Sequence, residues 1–265
     1  MAITPTRVIR YETRGRKAYI TLNRPEVMNA LNGEIVKALG EAISEFGDDD
    51  NLLVAIISGE GGRAFSAGMD LKERTQQDQG GPPASKTRRR GARAAFDELA
   101  NCRKPLIAAI DGYCLAAGLE ITINCDIRIA TMQSRFGLPE ARRSLIPGPG
   151  VQLSRHIAMG EALLILLTGG HVTAERMYQL GYIQRLVPDR EALFKEADAI
   201  ADEILQCAPL AVQALKRIIK VGHSLPVPVM EQMAEPIRGM IERTEDRQEG
   251  PRAFVEKRAA VWKMR

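Results

Sequence analysis

The chain has 265 residues, 45% of them hydrophobic and 26% charged, which places it in the globular class with enough length to bury a large core. Its 37 basic and 33 acidic residues leave a net charge of +4, too small and too dispersed for a nucleic-acid-binding protein and compatible with an anionic small ligand. The four cysteines form no CxxC and no metal-type spacing with the three histidines, which predicts small buried thiols in a reducing compartment and no metal site.

In chain order, apolar residues at 8–12 and 18–22 flank Arg14-Gly15 and predict a hairpin at a sheet edge, ended by Asn23-Arg24-Pro25. After Asn32, a candidate N-cap, apolar residues recur at helical spacing from Ile35 to Phe46, and the acidic run 48–50 ends that helix. Residues 52–57 read as a buried strand. Gly59, Gly61 and Gly62 follow it without the third glycine of a dinucleotide fingerprint and without a following helix, which excludes that motif.

Residues 75–85, rich in Gln, Gly and Pro, predict a mobile segment suited to a lid. Its basic sequel, Lys86 to Arg93, reads as a solvated helix start, since no aromatic side chains alternate with it to stack bases. That helix runs to about Cys102, and strands follow at 106–110 and 127–130. Residues 136–150 predict a long shaped loop, because proline cannot sit inside a helix or a central strand.

Short helices are expected near 151–159 and 161–167, a helix started by Thr173, a strand at 183–187 and a helix at 189–207. From Pro209 the pattern is helical, with Pro226, Pro228, Pro236 and Pro251 expected to chop it into short pieces. The expected organisation is an α/β core over 1–200 and a helical region over 201–265 that packs on the core and on neighbouring subunits. The N-terminal stretch has no apolar signal-like core, and runs such as 162–167 are too short to span a bilayer, so a cytoplasmic protein with no membrane partner is expected.

Residues 106–120, LIAAIDGYCLAAGLE, pass from an apolar run through small residues to a carboxylate, the pattern of a strand, a turn and a helix N-terminus. The first amides of a helix lack intrahelical acceptors, and the macrodipole adds positive potential, so an oxyanion can be held there. Residues 64–72, AFSAGMDLK, repeat the pattern. Two such loops could aim one amide each at one carbonyl oxygen; the alternative is two ordinary strand-to-helix turns. Glu120 and Glu140 are candidate proton carriers for adding water across a conjugated double bond, if the fold unites them.

Seven blocks resemble the enoyl-CoA hydratase/isomerase, or crotonase, family in its order: AFSAGMDLKE, KPLIAAIDGYCLAAGLE, CDIRIA, FGLPE, IPGPG, LTG and EGPRAFVEKR. The last also resembles the carnitinyl-CoA dehydratase branch. The resemblance implies an α/β spiral of ββα turns with a C-terminal helical trimerisation region, assembled as a homotrimer or a dimer of trimers. It implies that the Met69 and Ala117 amides form an oxyanion hole for an acyl-CoA thioester, that Glu120 and Glu140 are the catalytic carboxylates, and that the Gly148 amide helps place water.

By the same resemblance Ala67, Lys72, Phe254 and Lys257 contact coenzyme A, which is part of the substrate, so no separate cofactor is expected. Glu140 is assigned the α-proton and Glu120 the water. Having both carboxylates favours hydration over isomerisation. Ala116-Ala117 depart from the family's more usual Gly-Gly and suit an amide donor only if φ stays negative there. Met69 is bulkier than the usual Ala, and Pro149 and Val151 also depart, which bears on acyl specificity. Of the rival classes, a Ser66 hydrolase has no recognisable triad histidine among His156, His171 and His223.

Overall fold

The structure, a computed structural model, describes residues 8–72 and 86–265, with side chains for all of these except 86–93. The expected lid at 75–85 and the side chains of the basic run therefore lie outside the described residues.

The larger sheet has the order β1 (Ile9–Arg14), β2 (Lys17–Leu22), β3 (Val54–Gly59), β5 (Leu106–Ile110), β7 (Ile127–Thr131), β10 (Arg185–Val187), and the smaller one has β4 (Ala64–Ser66), β6 (Tyr113–Leu115), β8 (Arg135–Gly137), β9 (Val172–Thr173). The first two strands pair antiparallel as the expected edge hairpin, and every later neighbour in the larger sheet is parallel. Such strands are covered on both faces, which is why 54–59 and 106–110 are continuously buried.

After the hairpin comes α1 (Gly33–Asp48), and Asn32 is its N-cap, its side-chain oxygen accepting from the Ile35 N–H at 3.0 Å. The chain then repeats one step: β3 and β4, β5 and β6, β7 and β8 each give one strand to each sheet before a helical segment. Those segments include α2 (Lys86–Asn101), α3 (Ala117–Asn124) and, past two 3-10 turns, α4 (Met159–Thr168). This repeated ββα step winds the spiral that the resemblance implied.

Alternate residues of the larger sheet face opposite sides. Ala55 and Ile57 join Ile35, Leu39 and Phe46 of α1 in the main core. Val54 and Ile56 instead meet Leu193, Ala197 and Ala201 of a later helix, Arg190–Leu205, which follows α5 (Ala174–Gln179) and is α6. The remainder is helical: α7 (Pro209–Gly222), α8 (Val227–Ile241) and α9 (Asp246–Glu256).

Pro226 and Pro228 mark a helix boundary as expected, at the N-cap and first turn of α8, but the other two prolines do not break their helices. Pro236 lies inside α8 and Pro251 inside α9. Each deprives the residue four positions earlier, Gln232 or Arg247, of a hydrogen bond, and both of those are exposed, so water can satisfy the freed carbonyls. Lys216 and Lys220 of α7 both pair with Asp126, at 2.7 and 3.0 Å, and fasten this helix to the end of α3. Among the described residues no helix is long and apolar enough to cross a membrane.

Candidate active site

The smaller sheet is what assembles the site. Because β6 pairs parallel with both β4 and β8, the segments leaving these three strands emerge on one edge. They carry Met69, then Ala117 with Glu120, then Glu140. The first two touch: a Cβ built on Gly68 would fall 2.5 Å from the Ala116 Cβ and 3.3 Å from the Ala117 nitrogen. One built on Gly118 would fall 2.6 Å from the Ser66 carbonyl oxygen.

Leu31 pins the peptides on either side of Met69, donating to the Gly68 carbonyl at 2.8 Å and accepting from the Asp70 N–H at 2.9 Å. Among the described residues neither the Met69 nor the Ala117 N–H has a backbone or side-chain acceptor. Ala117 opens α3, a wholly buried helix with no side-chain cap at its N-terminus. Orphan amides at such a buried end are unusual, and the helix dipole adds positive potential to them.

Glu120, in the first turn of α3, is 5% exposed, and its Oε1 accepts from the Gly150 N–H at 3.0 Å. Burial pushes its carboxyl above the usual range and the charge of nearby Glu140 pushes the same way, against the Gly150 and Gly148 amides. Glu140 stands on a 3-10 turn, Pro139–Arg143. Its Oε2 is buried with no hydrogen-bond partner among the described residues, and burial raises its carboxyl too, against its own amide and the Arg143 charge. Carboxyls held above their ordinary range keep their protons to higher pH than free ones, which suits them to giving and taking protons.

The structure thus brings together Met69, Ala117, Glu120, Glu140 and Gly148. Gly150, which sequence reasoning did not single out, makes the direct hydrogen bond to Glu120. Its place beside Gly148 in IPGPG was the available signal, and a Cβ there would fall 2.8 Å from the Pro147 Cβ and 3.2 Å from the Glu120 Oε1 that the residue binds. Ala67 is held in the first loop by its N–H to the Met28 carbonyl, 3.0 Å, and exposed Lys72 follows that loop.

Phe254, 85% exposed, and Lys257 stand at the far end of α9. Among the described residues no hydrogen bond or ion pair ties either to the loops that bear Met69 and Ala117.

Ser66 is fully buried: its hydroxyl donates to the Asn29 carbonyl at 2.8 Å and accepts from the Gly68 N–H at 3.2 Å. The histidines stand elsewhere, His156 against the Tyr182 ring, His171 against Tyr113 and His223 at the end of α7. A serine hydrolase is thereby excluded, since the hydroxyl has no base beside it. Among the described residues no metal-ligand cluster is found.

Ala117 meets the condition of negative φ, but Ala116 does not: its φ is +51° and its ψ is −126°, a region that suits glycine. Ala116→Gly is therefore expected to stabilise the fold by about 1 kcal/mol, relief of strain exceeding the entropy glycine gives the unfolded chain. Urea denaturation measures it; a loss of stability would contradict the strained backbone.

A ββα spiral whose three neighbouring strand ends gather two free amides, a buried carboxyl and a half-buried one is the architecture of the crotonase class. The chain belongs to the enoyl-CoA hydratase/isomerase family, whose profile matches residues 12–265. It is 38% identical over 258 residues to the enoyl-CoA hydratase EchA19 of Mycobacterium tuberculosis, covering 94% of this chain and 93% of that protein. It is 36% identical to the carnitinyl-CoA dehydratase of Salmonella typhi, covering 93% and 94% respectively. A crystal structure of enoyl-CoA hydratase from Bacillus anthracis superposes with a TM-score of 0.90 at 31% identity, covering 97% of this chain and all of that one.

Proposed function

We propose that the chain is an enoyl-CoA hydratase that reversibly adds water across the 2,3 double bond of an acyl-CoA thioester. The observation that carries this is the convergence of the two unpartnered amides with Glu120 and Glu140 at one edge of the smaller sheet. The Met69 and Ala117 N–H groups receive the thioester oxygen as it gains charge. Glu120, oriented by the Gly150 amide, takes a proton from water while the water oxygen bonds to the β-carbon. Glu140, the carboxyl with an unpartnered oxygen, then gives its proton to the α-carbon as the enolate collapses. Proton exchange between the two carboxyls restores the starting state.

Ala67 and Lys72, beside the first donor, contact coenzyme A, which is the substrate's own handle, and no separate cofactor takes part. Phe254 and Lys257 reach a neighbouring subunit's ligand in a homotrimer or dimer of trimers. In support, large apolar side chains stand exposed in the single chain, Leu163, Leu164 and Leu167 on α4 and Phe254 and Val255 on α9. The helical region 201–265 supplies those contacts. The protein works in the cytoplasm, with neither a membrane nor a nucleic acid as partner.

The alternative is another crotonase reaction, double-bond isomerisation or dehydration of a betaine-type acyl group as in the carnitinyl-CoA dehydratases. A panel of enoyl-CoA thioesters of increasing chain length, with a betaine-type acyl-CoA included, tests this by loss of the conjugated thioester absorbance. Hydration of neutral enoyl-CoA is the expected result; turnover confined to the betaine substrate, or isomerisation without hydration, would overturn it.

A further inference from the structure

Met69 and Ala117 can act on one oxygen only if the distance between their amides is fixed. Leu31 sets the direction of the Met69 amide, and its distance from Ala117 is left to contacts between the loops, because each loop ends a strand of three residues. Ser66, the last residue of β4, touches both. Towards the first loop, its hydroxyl accepts from the Gly68 N–H at 3.2 Å and so orients the peptide next to the Met69 amide. The same hydroxyl donates to the Asn29 carbonyl at 2.8 Å, which prevents it from turning away. Towards the second loop, a Cβ at Gly118 would lie 2.8 Å from the Ser66 Cβ, so α3 rests directly on this residue one position beyond Ala117.

Asn29 is itself immobile. It is fully buried with φ at +52°, donates from Nδ2 to the Glu60 and Ala64 carbonyls at 3.0 and 2.8 Å, and accepts from the Arg24 N–H at 2.9 Å. The contacts thus run from a rigid buried turn through one hydroxyl to the first donor loop, and through one side-chain carbon to the second.

We propose that Ser66 is a positioning residue that holds the two amides at the separation the thioester oxygen needs. This rests on the reading of Met69 and Ala117 as oxyanion donors. Ser66→Ala keeps the carbon that supports α3 and removes the hydroxyl that orients Gly68. Leu31 still directs the Met69 amide, but the peptide before it is released, so the separation from the Ala117 amide is no longer held while the coenzyme A contacts remain. The expected signature is a fall in kcat of about tenfold or more with KM changed by less than about threefold, because alignment matters more in the transition state than in the ground state.

The deciding readout is the absorption of bound para-dimethylaminocinnamoyl-CoA, which moves to longer wavelength as its carbonyl is polarised. Wild type should show the red shift, Ser66→Ala a smaller one, and Ser66→Cys, with its weaker sulfur acceptor, a value between them. The stability control is Lys104→Met: that lysine is 3% exposed, closes the end of α1 by donating to the Phe46 and Asp49 carbonyls at 2.8 Å, and precedes the opposite end of β5. It should lose stability yet keep both kcat and the shift.

A Ser66→Ala enzyme with kcat within about twofold of wild type and an unchanged shift overturns the proposal. So does a control that matches its losses, since lowered stability alone would then account for them. If Ser66→Ala does not fold, Ser66→Cys is read by the same criteria. A wild type that polarises the probe's carbonyl not at all removes the oxyanion reading as well, which separates that failure from one confined to Ser66.

Discussion

Glu140→Gln is expected to lower hydration turnover by about a thousandfold and to make the protein more heat-stable at neutral pH. The loss follows from the mechanism, because an amide cannot give the α-carbon a proton, and Glu120→Gln should lose a similar amount by failing to take one from water. The gain in stability follows from burial, which holds both carboxyls above their ordinary range. A carboxyl whose folded pKa exceeds its unfolded one favours the fold when protonated. That contribution is fully present below the unfolded pKa and is lost as pH rises through the folded pKa. As pH rises towards neutrality the wild type progressively loses it, whereas a Gln side chain has no charge to desolvate.

The difference in melting temperature between Glu140→Gln and wild type should thus be positive near neutrality and shrink on acidification to about pH 3, where the wild-type carboxyl is protonated in both states. The same directions shape the rate profile. Turnover falls on the alkaline side, where both carboxyls are ionised, and on the acid side, where both are protonated. Initial rates and melting curves across pH measure both. Near-normal turnover in Glu140→Gln would remove its role as acid, and a variant less stable than wild type at every pH would remove the burial argument.

What the sequence revealed depended on whether the signal was local. The Asn32 cap, the apolar spacing of α1, the hairpin around Gly15 and the continuous apolar strands β3 and β5 are set by residues a few positions apart, and the structure has them within about two residues. The strands β6, β8 and β9 were not legible, because two or three residues are too few to display alternation. Those strands nevertheless bring the site together. Composition and spacing therefore offered candidate loops and carboxylates without a reason for them to meet, and the family resemblance supplied the pairing in advance.

Some details were out of reach for a different reason. Gly150 acts on Glu120 through its backbone, so no side chain advertises it. The positive φ at Ala116 is imposed by tertiary contacts that override the residue's own preference. Pro236 and Pro251 mislead because their effect depends on whether water reaches the carbonyl they leave unpaired, and burial is not a local property.

Gly68→Ala should disable the enzyme from a position with no reactive group. The residue has φ at +92°, and its added Cβ would lie 2.5 Å from the Ala116 Cβ and 3.0 Å from the Leu115 carbonyl oxygen. Neither neighbour is the free end of a flexible side chain, so relief requires the two donor loops to part. Loss of one aligned donor corresponds to a fall in kcat of about a hundredfold or more, and the strained backbone adds about 1–3 kcal/mol of destabilisation.

The contact between the loops can be isolated with a double-mutant cycle. Ala116→Gly removes the carbon that Gly68→Ala would strike, so the double variant should recover part of the lost turnover, leaving the penalty from φ and from the Leu115 oxygen. The coupling between the two substitutions should therefore be positive and on the order of 1 kcal/mol or more in transition-state free energy, as for residues in direct contact. Strictly additive effects would mean that the loops do not press on each other at Gly68 and Ala116, and the two amides would then have to be aligned by some other contact.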